Sequence, residues 1–536
     1  MNKEYEEILR LGLLRVEEKN YIESKSLFLK LTKIDPKRYE GHLNLSNILA
    51  IQNKTEEAEQ ILKNYLEKIY THPEIINGLS IAFFNSKKYD ELNNHIDKYI
   101  KTNNNYLLNY LKGFCLNNIN KTSAAEKYLQ KSINMKEDFW HSYELLFNIF
   151  DLRSKLSEMC ALIEIAKKNF LKDIKFEYFY ALYSYRNSEY IKCDQILNQD
   201  LLKSYFQKNH NNSFTSDYYN LLSKNYEKMS NKKKCLEYAL KRNKTILNLE
   251  KNKNFNKHEL LDTISSYTKF FNNDSKHLLK ISDEGLEHSN LTFLIGFPRS
   301  GTTLLDTILR AHSKTIVLEE KPYLINIRHK FFKKNRISKL LNLDSRSKIE
   351  MQESYLNSFN YDSNKIIIDK FPLNLIELGF IKSIFPNSKI ILAIRHPLDC
   401  ILSCVLTSFK INEAMMNFEN LKTTAFFYNK TFNLLLNYIN FFDIELYKIK
   451  YEDVVSNFNF QISNLLHFLG LEFEDKIINF HETAKKREKI HTPSYDQVVK
   501  PIYTSSLNRY TGFEEITTIV DDVESWINYF NYKNFK

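Results

Sequence analysis

Small residues recur at fixed intervals through the first half of the chain, and this recurrence limits what that half can fold into. Gly12 and Ser24 lie twelve residues apart, and Ser46 and Ala58 repeat the pair 34 residues later. Gly113/Ala125, Ala181/Cys193 and Ser223/Cys235 keep the twelve-residue spacing. A larger apolar residue follows the second member by four positions (Phe28, Leu62, Leu129, Leu197), with Ala239 a weaker instance. Between these marks, residues 1–250 read as successive helices of about 10–15 residues separated by short polar breaks. Asp35-Pro36 closes the first unit, since a helix usually stops before proline. The units are degenerate: the third keeps Ser80 but has Leu92, and residues 140–175 fit the spacing poorly.

The pattern resembles the tetratricopeptide repeat, whose helix pairs need small residues where they touch. Residues 1–250 are therefore expected to form an all-α solenoid with a concave surface suited to peptides or proteins. No catalytic constellation is visible there. Residues 251–288 are polar and read as a helical linker. From Leu291 the pattern changes: short apolar runs at Leu291–Ile295, Ile366–Ile368 and Ile390–Ile394 alternate with helical stretches. That alternation predicts βαβ units around a parallel sheet in an α/β domain over 289–536.

Gly296-Phe-Pro-Arg-Ser-Gly-Thr-Thr303 joins the first of these strands to a helix. A glycine-bounded loop that opens a helix turns several backbone N–H groups toward one anion, aided by the helix dipole. Ser300, Thr302 and Thr303 add hydroxyl donors. The G-x4-G spacing is P-loop-like, but Thr302 stands where an NTPase carries its Lys, and Arg299 is the available cation. Asp369, after a later strand, keeps a nucleotide-dependent, kinase-like enzyme open as an alternative.

Taken with four later elements, the loop resembles the 5′-phosphosulfate loop of sulfotransferases that use 3′-phosphoadenosine 5′-phosphosulfate (PAPS). Arg395-His-Pro-Leu-Asp-Cys-Ile-Leu-Ser403 resembles that family's 3′-phosphate motif. Lys450-Tyr451-Glu452-Asp453 resembles its Y-E-D element. The segments starting at Ser494 and Ser505 resemble the part that closes over the nucleotide. The likeness covers about residues 291–515 and is strongest to bacterial tetratricopeptide-repeat sulfotransferases and, through them, to tyrosylprotein sulfotransferases. It implies a nucleotide site of Pro298, Arg299, Ser300, Gly301, Thr302, Thr303, Arg395, Ser403, Tyr451, Ser494 and Arg509. In tyrosylprotein sulfotransferases the base is the second Glu of a G-E-E-T segment, 21 residues past the loop Arg, which falls on Glu320. Glu319 is the reserve, and Leu318 replaces the Gly. Lys370 matches the Lys that stabilises the leaving oxygen, a task shared with Arg299. A further nucleotide-binding Arg of that family falls on Thr407 and is lost. His312 is expected to cap or pack, and His396 to have no catalytic role.

The resemblance implies sulfuryl transfer from PAPS to a hydroxyl or phenol, yielding PAP without a metal. A protein tyrosine is the favoured acceptor, with a glycan or small molecule left open, and the repeats would recruit or orient an acceptor protein, peptide or glycan. An inactive PAP-binding scaffold is the second alternative. The chain's 536 residues exceed what one core supports. Its net charge of +11 is spread widely instead of concentrated as a nucleic-acid binder's would be. No signal peptide is visible at Met1–Glu7 and no window approaches about 18 uninterrupted apolar residues, so no membrane span is expected. The six cysteines show no metal-ligand spacing. A cytoplasmic protein with reduced thiols is expected.

Overall fold

The computed structural model describes residues 2–69, 71–249, 252, 254–272, 276, 290–332, 337–485, 502 and 506–533. The chain folds as two compact units, Met1–Leu202 and Lys203–Lys536.

The first unit is built of helix pairs. Successive pairs open at Tyr39, Pro73, Tyr106, Trp140 and Ile174, 33 or 34 residues apart. Each pair turns through one left-handed residue: Lys19, Asn53, Lys87, Asn120, Ser154 and Ser188 have φ of 53–63°. The small residues mark closest approach, as expected. A Cβ on Gly12 would meet the Phe28 ring at 2.6 Å, and one on Gly113 would meet Leu129 at 2.7 Å. The larger residue four positions on thus fills the space that the missing side chain leaves. Ser46 adds a hydrogen bond, its Oγ donating to Ala58 O at 3.1 Å.

Residues 140–175, a poor match in sequence, fold as the regular pair Trp140–Leu152 and Leu156–Phe170. Phe147 and Met159 stand 34 positions after Gly113 and Ala125. Both are fully buried, and aromatic packing replaces the close backbone contact, with Phe147 stacked on Phe179 at 4.9 Å.

In the second unit, Ser213–Lys228 and Lys232–Leu247 form another such pair, and Ser223 Oγ donates to Cys235 O at 2.8 Å. Repeat-like pairs therefore run to Leu247, the last of them inside the second unit. Helix Lys257–Phe270 lies in the segment read as a linker. A five-stranded parallel sheet follows: β1 Leu291–Gly296, β2 Thr315–Glu319, β3 Ile366–Lys370, β4 Lys389–Ile394 and β5 Tyr447–Lys450, in the order β2-β3-β1-β4-β5. Leu294, Ile368, Ile391 and Ile449 pack on one face against Leu305, Ile308 and Leu309 of helix Thr302–Arg310 and Leu465 of helix Phe458–Leu469. The chain leaves β1 toward β2 on one side and leaves β4 toward β5 on the other. A crevice therefore opens between the carboxyl ends of β1 and β4, where α/β sheets place their ligands. Among the described residues no helix is long and apolar enough to cross a membrane.

Candidate active site

Every sequence-expected site residue within the described set, apart from Arg509, ends a strand (Glu319 in β2, Lys370 in β3) or belongs to a turn or helix directly after one. Gly296 pairs with Ala393, and the loop 297–301 begins there. Phe297 anchors it, its ring 4.8 Å from Tyr428 and 5.9 Å from Phe418. The next turn is tight: Ser300 N donates to Phe297 O at 3.1 Å, while Arg299 (φ 72°) and Gly301 (φ 96°) are left-handed. A non-glycine residue in that region is strained, and such strain gathers at functional sites. Gly301 has a second reason to lack a side chain, because its Cβ would lie 2.8 Å from the Tyr451 ring. Thr302 and Thr303 are buried at the helix start.

Across the crevice, Arg395 follows β4 and precedes helix Pro397–Leu406, which carries Ser403. Arg299 Nε donates to Ser403 Oγ at 3.0 Å, and Cys404 Sγ donates to Pro298 O at 3.4 Å, so helix and loop are tied together. The Arg395 guanidinium donates to the carbonyls of Arg299 and Ser506 and lies 4.9 Å above the Tyr451 ring. Burial works against its charge, but Asp399, 3.4 Å away, with Tyr451 and Glu452 beyond, holds its pKa above the ordinary value. Ser300 Oγ and Arg395 Nε are buried without a hydrogen-bond partner among the described residues. Two buried donors left unsatisfied beside one glycine-bounded loop call for an acceptor.

Lys370 ends β3 in register with Leu294 and Glu319, on the face of helix Thr302–Arg310. Its side chain is fully buried and its Nζ lies 2.7 Å from Glu320 Oε1, 3.5 Å from Asp306 Oδ2 and 3.9 Å from Glu319 Oε1. Glu320 is the most open of the three acids, with its side chain 35% exposed. Its backbone N–H donates to Lys370 O at 2.8 Å, and Glu320 itself takes the left-handed conformation (φ 47°). The turn is therefore made at Glu320, two positions after the Leu318 that replaces the Gly, and without a glycine.

Asp306 is a residue that sequence reasoning missed. It is fully buried, and Arg310 grips its Oδ1 through Nε and Nη2 at 3.0 and 2.8 Å. Asp369, the acid behind the kinase alternative, alternates onto the opposite sheet face. There it accepts a hydrogen bond from Tyr355 Oη at 2.6 Å. Burial pushes its pKa up to about 7, against the lowering effect of Tyr355 and Lys370.

Arg509 is held by Glu227, to which its Nε donates at 2.8 Å and its Nη2 also donates. Ser494 lies outside the described residues. His312 packs as expected, with Nδ1 accepting from Lys314 N and Nε2 2.9 Å from Glu472 O. His396 caps helix Pro397–Leu406 and stacks on Tyr510 at 4.5 Å. Burial lowers its pKa to about 4. Among the described residues no group of three or more His, Cys, Asp or Glu side chains is arranged to hold a metal ion.

Residues 292–475 match the model of the sulfotransferase family. An uncharacterized protein of Aquifex aeolicus is 26% identical over 317 residues, covering 56% of this chain and 40% of that one. Protein-tyrosine sulfotransferase A of Caenorhabditis elegans is 24% identical over 272 residues, covering 47% of this chain and 70% of its own length. Among solved structures, the sulfotransferase domain from the curacin biosynthetic pathway aligns with 45% of this chain and 97% of its own, at 19% identity and a TM-score of 0.34. The chain thus spans well under two thirds of the Aquifex relative.

Proposed function

With residues 292–475 a segment of sulfotransferase type, we propose that the protein transfers a sulfuryl group from PAPS to a hydroxyl, with a protein tyrosine as the favoured acceptor. The observation that carries this reading is the Lys370–Glu320 pair at 2.7 Å, on the sheet edge that also bears the phosphate loop. PAPS supplies the sulfuryl group and leaves as a bisphosphate nucleotide.

The loop N–H groups, Ser300, Thr302 and Thr303 would hold the 5′ end, with Arg299 offsetting its charge. Arg395 and Ser403 would hold the 3′-phosphate, where a guanidinium fork suits phosphate geometry. Tyr451, beside Gly301 and under Arg395, forms a wall between the two ends. Glu320 faces outward and would take the acceptor proton, a role its partial exposure permits. Lys370 sits behind it and would meet the charge that develops on the leaving oxygen. Asp306, 3.5 Å from Nζ, would remain as its partner when Glu320 takes the proton.

A tyrosine acceptor is supported by the Glu base and by the similarity to protein-tyrosine sulfotransferase A. The helix-pair array would recruit that acceptor, as such arrays bind peptides. With Asp369 on the far face, bonded to Tyr355, the kinase alternative lacks its metal-binding acid. The test is incubation with sulfur-radiolabelled PAPS in parallel arms containing tyrosine peptides, glycans and small phenols. Label in the peptides is expected. Label only in another arm would overturn the tyrosine reading, and no label in any arm from protein that binds PAP would overturn the transferase.

A further inference from the structure

Arg242, on helix Lys232–Leu247, is fully buried more than 150 residues in sequence from the groups it serves. Its Nη1 donates to Leu406 O at 3.0 Å, and its Nη2 donates to Val405 O at 2.6 Å and Thr407 O at 3.2 Å. Asn243, beside it, accepts from Arg242 Nε and donates through Nδ2 to Val405 O at 3.0 Å and to Phe418 O at 3.1 Å. Among the described residues no carboxylate pairs with this guanidinium. Carbonyls and amide oxygens alone meet its charge, and burial lowers its pKa to about 10, which leaves it cationic near neutrality.

The three carbonyls at 405–407 belong to the last turn of helix Pro397–Leu406, whose orphan acceptors carry the negative end of the dipole. The same turn holds Ser403, bonded to Arg299, and Cys404, bonded to Pro298. A displacement of that turn would therefore move Ser403 and strain the loop together. A second contact leads from the same helix pair to the site: Glu227 holds Arg509, and Lys232 donates to Thr511 O. For stability alone, an apolar side chain and a neutral cap would serve better than an unpaired buried cation.

We propose that the pair Ser213–Lys228/Lys232–Leu247 is a built-in part of the nucleotide end of the site, with Arg242 the positioning residue that fixes the turn bearing Ser403. This rests on the sulfotransferase reading above. Its consequence is that the last repeat-like pair sets affinity for the bisphosphate nucleotide while touching none of it through Arg242.

The test uses the full chain, with PAP as the probe in calorimetric titrations. Folding is checked by circular dichroism well below the melting temperature. Arg242→Met is expected to bind PAP about ten-fold or more weakly, since small misplacements of binding groups are costly. Arg242→Lys, which restores the charge and part of the bonding, should recover some of the loss. A lower melting temperature with unchanged PAP affinity would overturn the proposal and leave Arg242 a purely stabilising residue. Should Arg242→Met not fold, Asn243→Ala keeps the guanidinium but removes the bond to one of its carbonyls, Val405 O, together with the amide oxygen that accepts from Arg242 Nε. It is expected to weaken PAP about five-fold, and no change would overturn the proposal equally. Absence of PAP binding by the wild type would overturn the sulfotransferase reading and this one with it. Wild-type binding that none of the variants alters would overturn this proposal alone.

Discussion

Asp306, Glu319 and Glu320 surround the buried Nζ of Lys370 within 2.7–3.9 Å. The three acids differ in access, and access assigns their tasks. Glu320→Gln keeps the shape of the side chain and removes the proposed base, so turnover should fall about 10²–10⁴-fold while PAP affinity holds. A large loss of PAP affinity would show a structural role instead. Asp306→Asn should lower kcat far more than it raises KM for PAPS, because it loosens Lys370 without touching the phosphate loop. Equal changes in both would contradict that.

Asp369 gives a pH prediction of opposite character. Its folded pKa of about 7 lies above the ordinary carboxyl value of 3.8. Between those values the folded state binds the extra proton, so this contribution is fully present below the lower value and is lost as pH rises through about 7. Asp369→Asn should flatten that part of the denaturant-stability profile. At pH 8 it should be as stable as the wild type or more so, by up to a few kcal/mol.

At the scale of elements, two glycines with similar left-handed backbones separate a binding loop from a helix cap. A Cβ on Gly301 (φ +96°) would lie 2.8 Å from the Tyr451 ring, whereas one on Gly470 (φ +78°), which ends helix Phe458–Leu469, would meet nothing within 4 Å. Gly301→Ala should abolish measurable PAP binding. Gly470→Ala should cost about 1–2 kcal/mol of stability and leave PAP binding intact. The loop was legible in the sequence because strand, glycine spacing and helix start are local features. The Glu320 turn was only half legible, since a left-handed Glu has no composition signal and its anchor, the Lys370 carbonyl, lies on another strand. Asp306 was not legible. Four residues before Arg310, it reads as an exposed ion pair on a helix surface, and only the sheet beneath shows that it is buried. The opposite face chosen by Asp369 follows from strand alternation, but the residue that receives it, Tyr355, lies on a separate helix.

At the scale of the molecule, the repeat period read from small residues is the observed one, and the aromatic pair at 140–175 shows why spacing alone was incomplete. The inclusion of the last pair in the second unit could not be read from the repeat, because it depends on contacts such as Arg242 with residues 405–407. The division into units has a thermal consequence. Gly113→Val forces a side chain into the space of Leu129 and should destabilise the first unit by about 1–3 kcal/mol. Calorimetry should show one transition lowered, with the PAP-dependent transition unmoved; a joint shift would contradict two separately cooperative units.

The central claim, that Glu320 and Lys370 serve sulfuryl transfer at a nucleotide-binding loop, is tested most directly by product stoichiometry. Wild type and Glu320→Gln are compared at equal saturation with radiolabelled PAPS, in the presence of the acceptor that takes up label. The account predicts PAP and sulfate ester in equal amounts from the wild type, and from Glu320→Gln a rate lower by about two orders of magnitude or more. Unchanged transfer by the variant, or PAP release with no ester formed by the wild type, would contradict it.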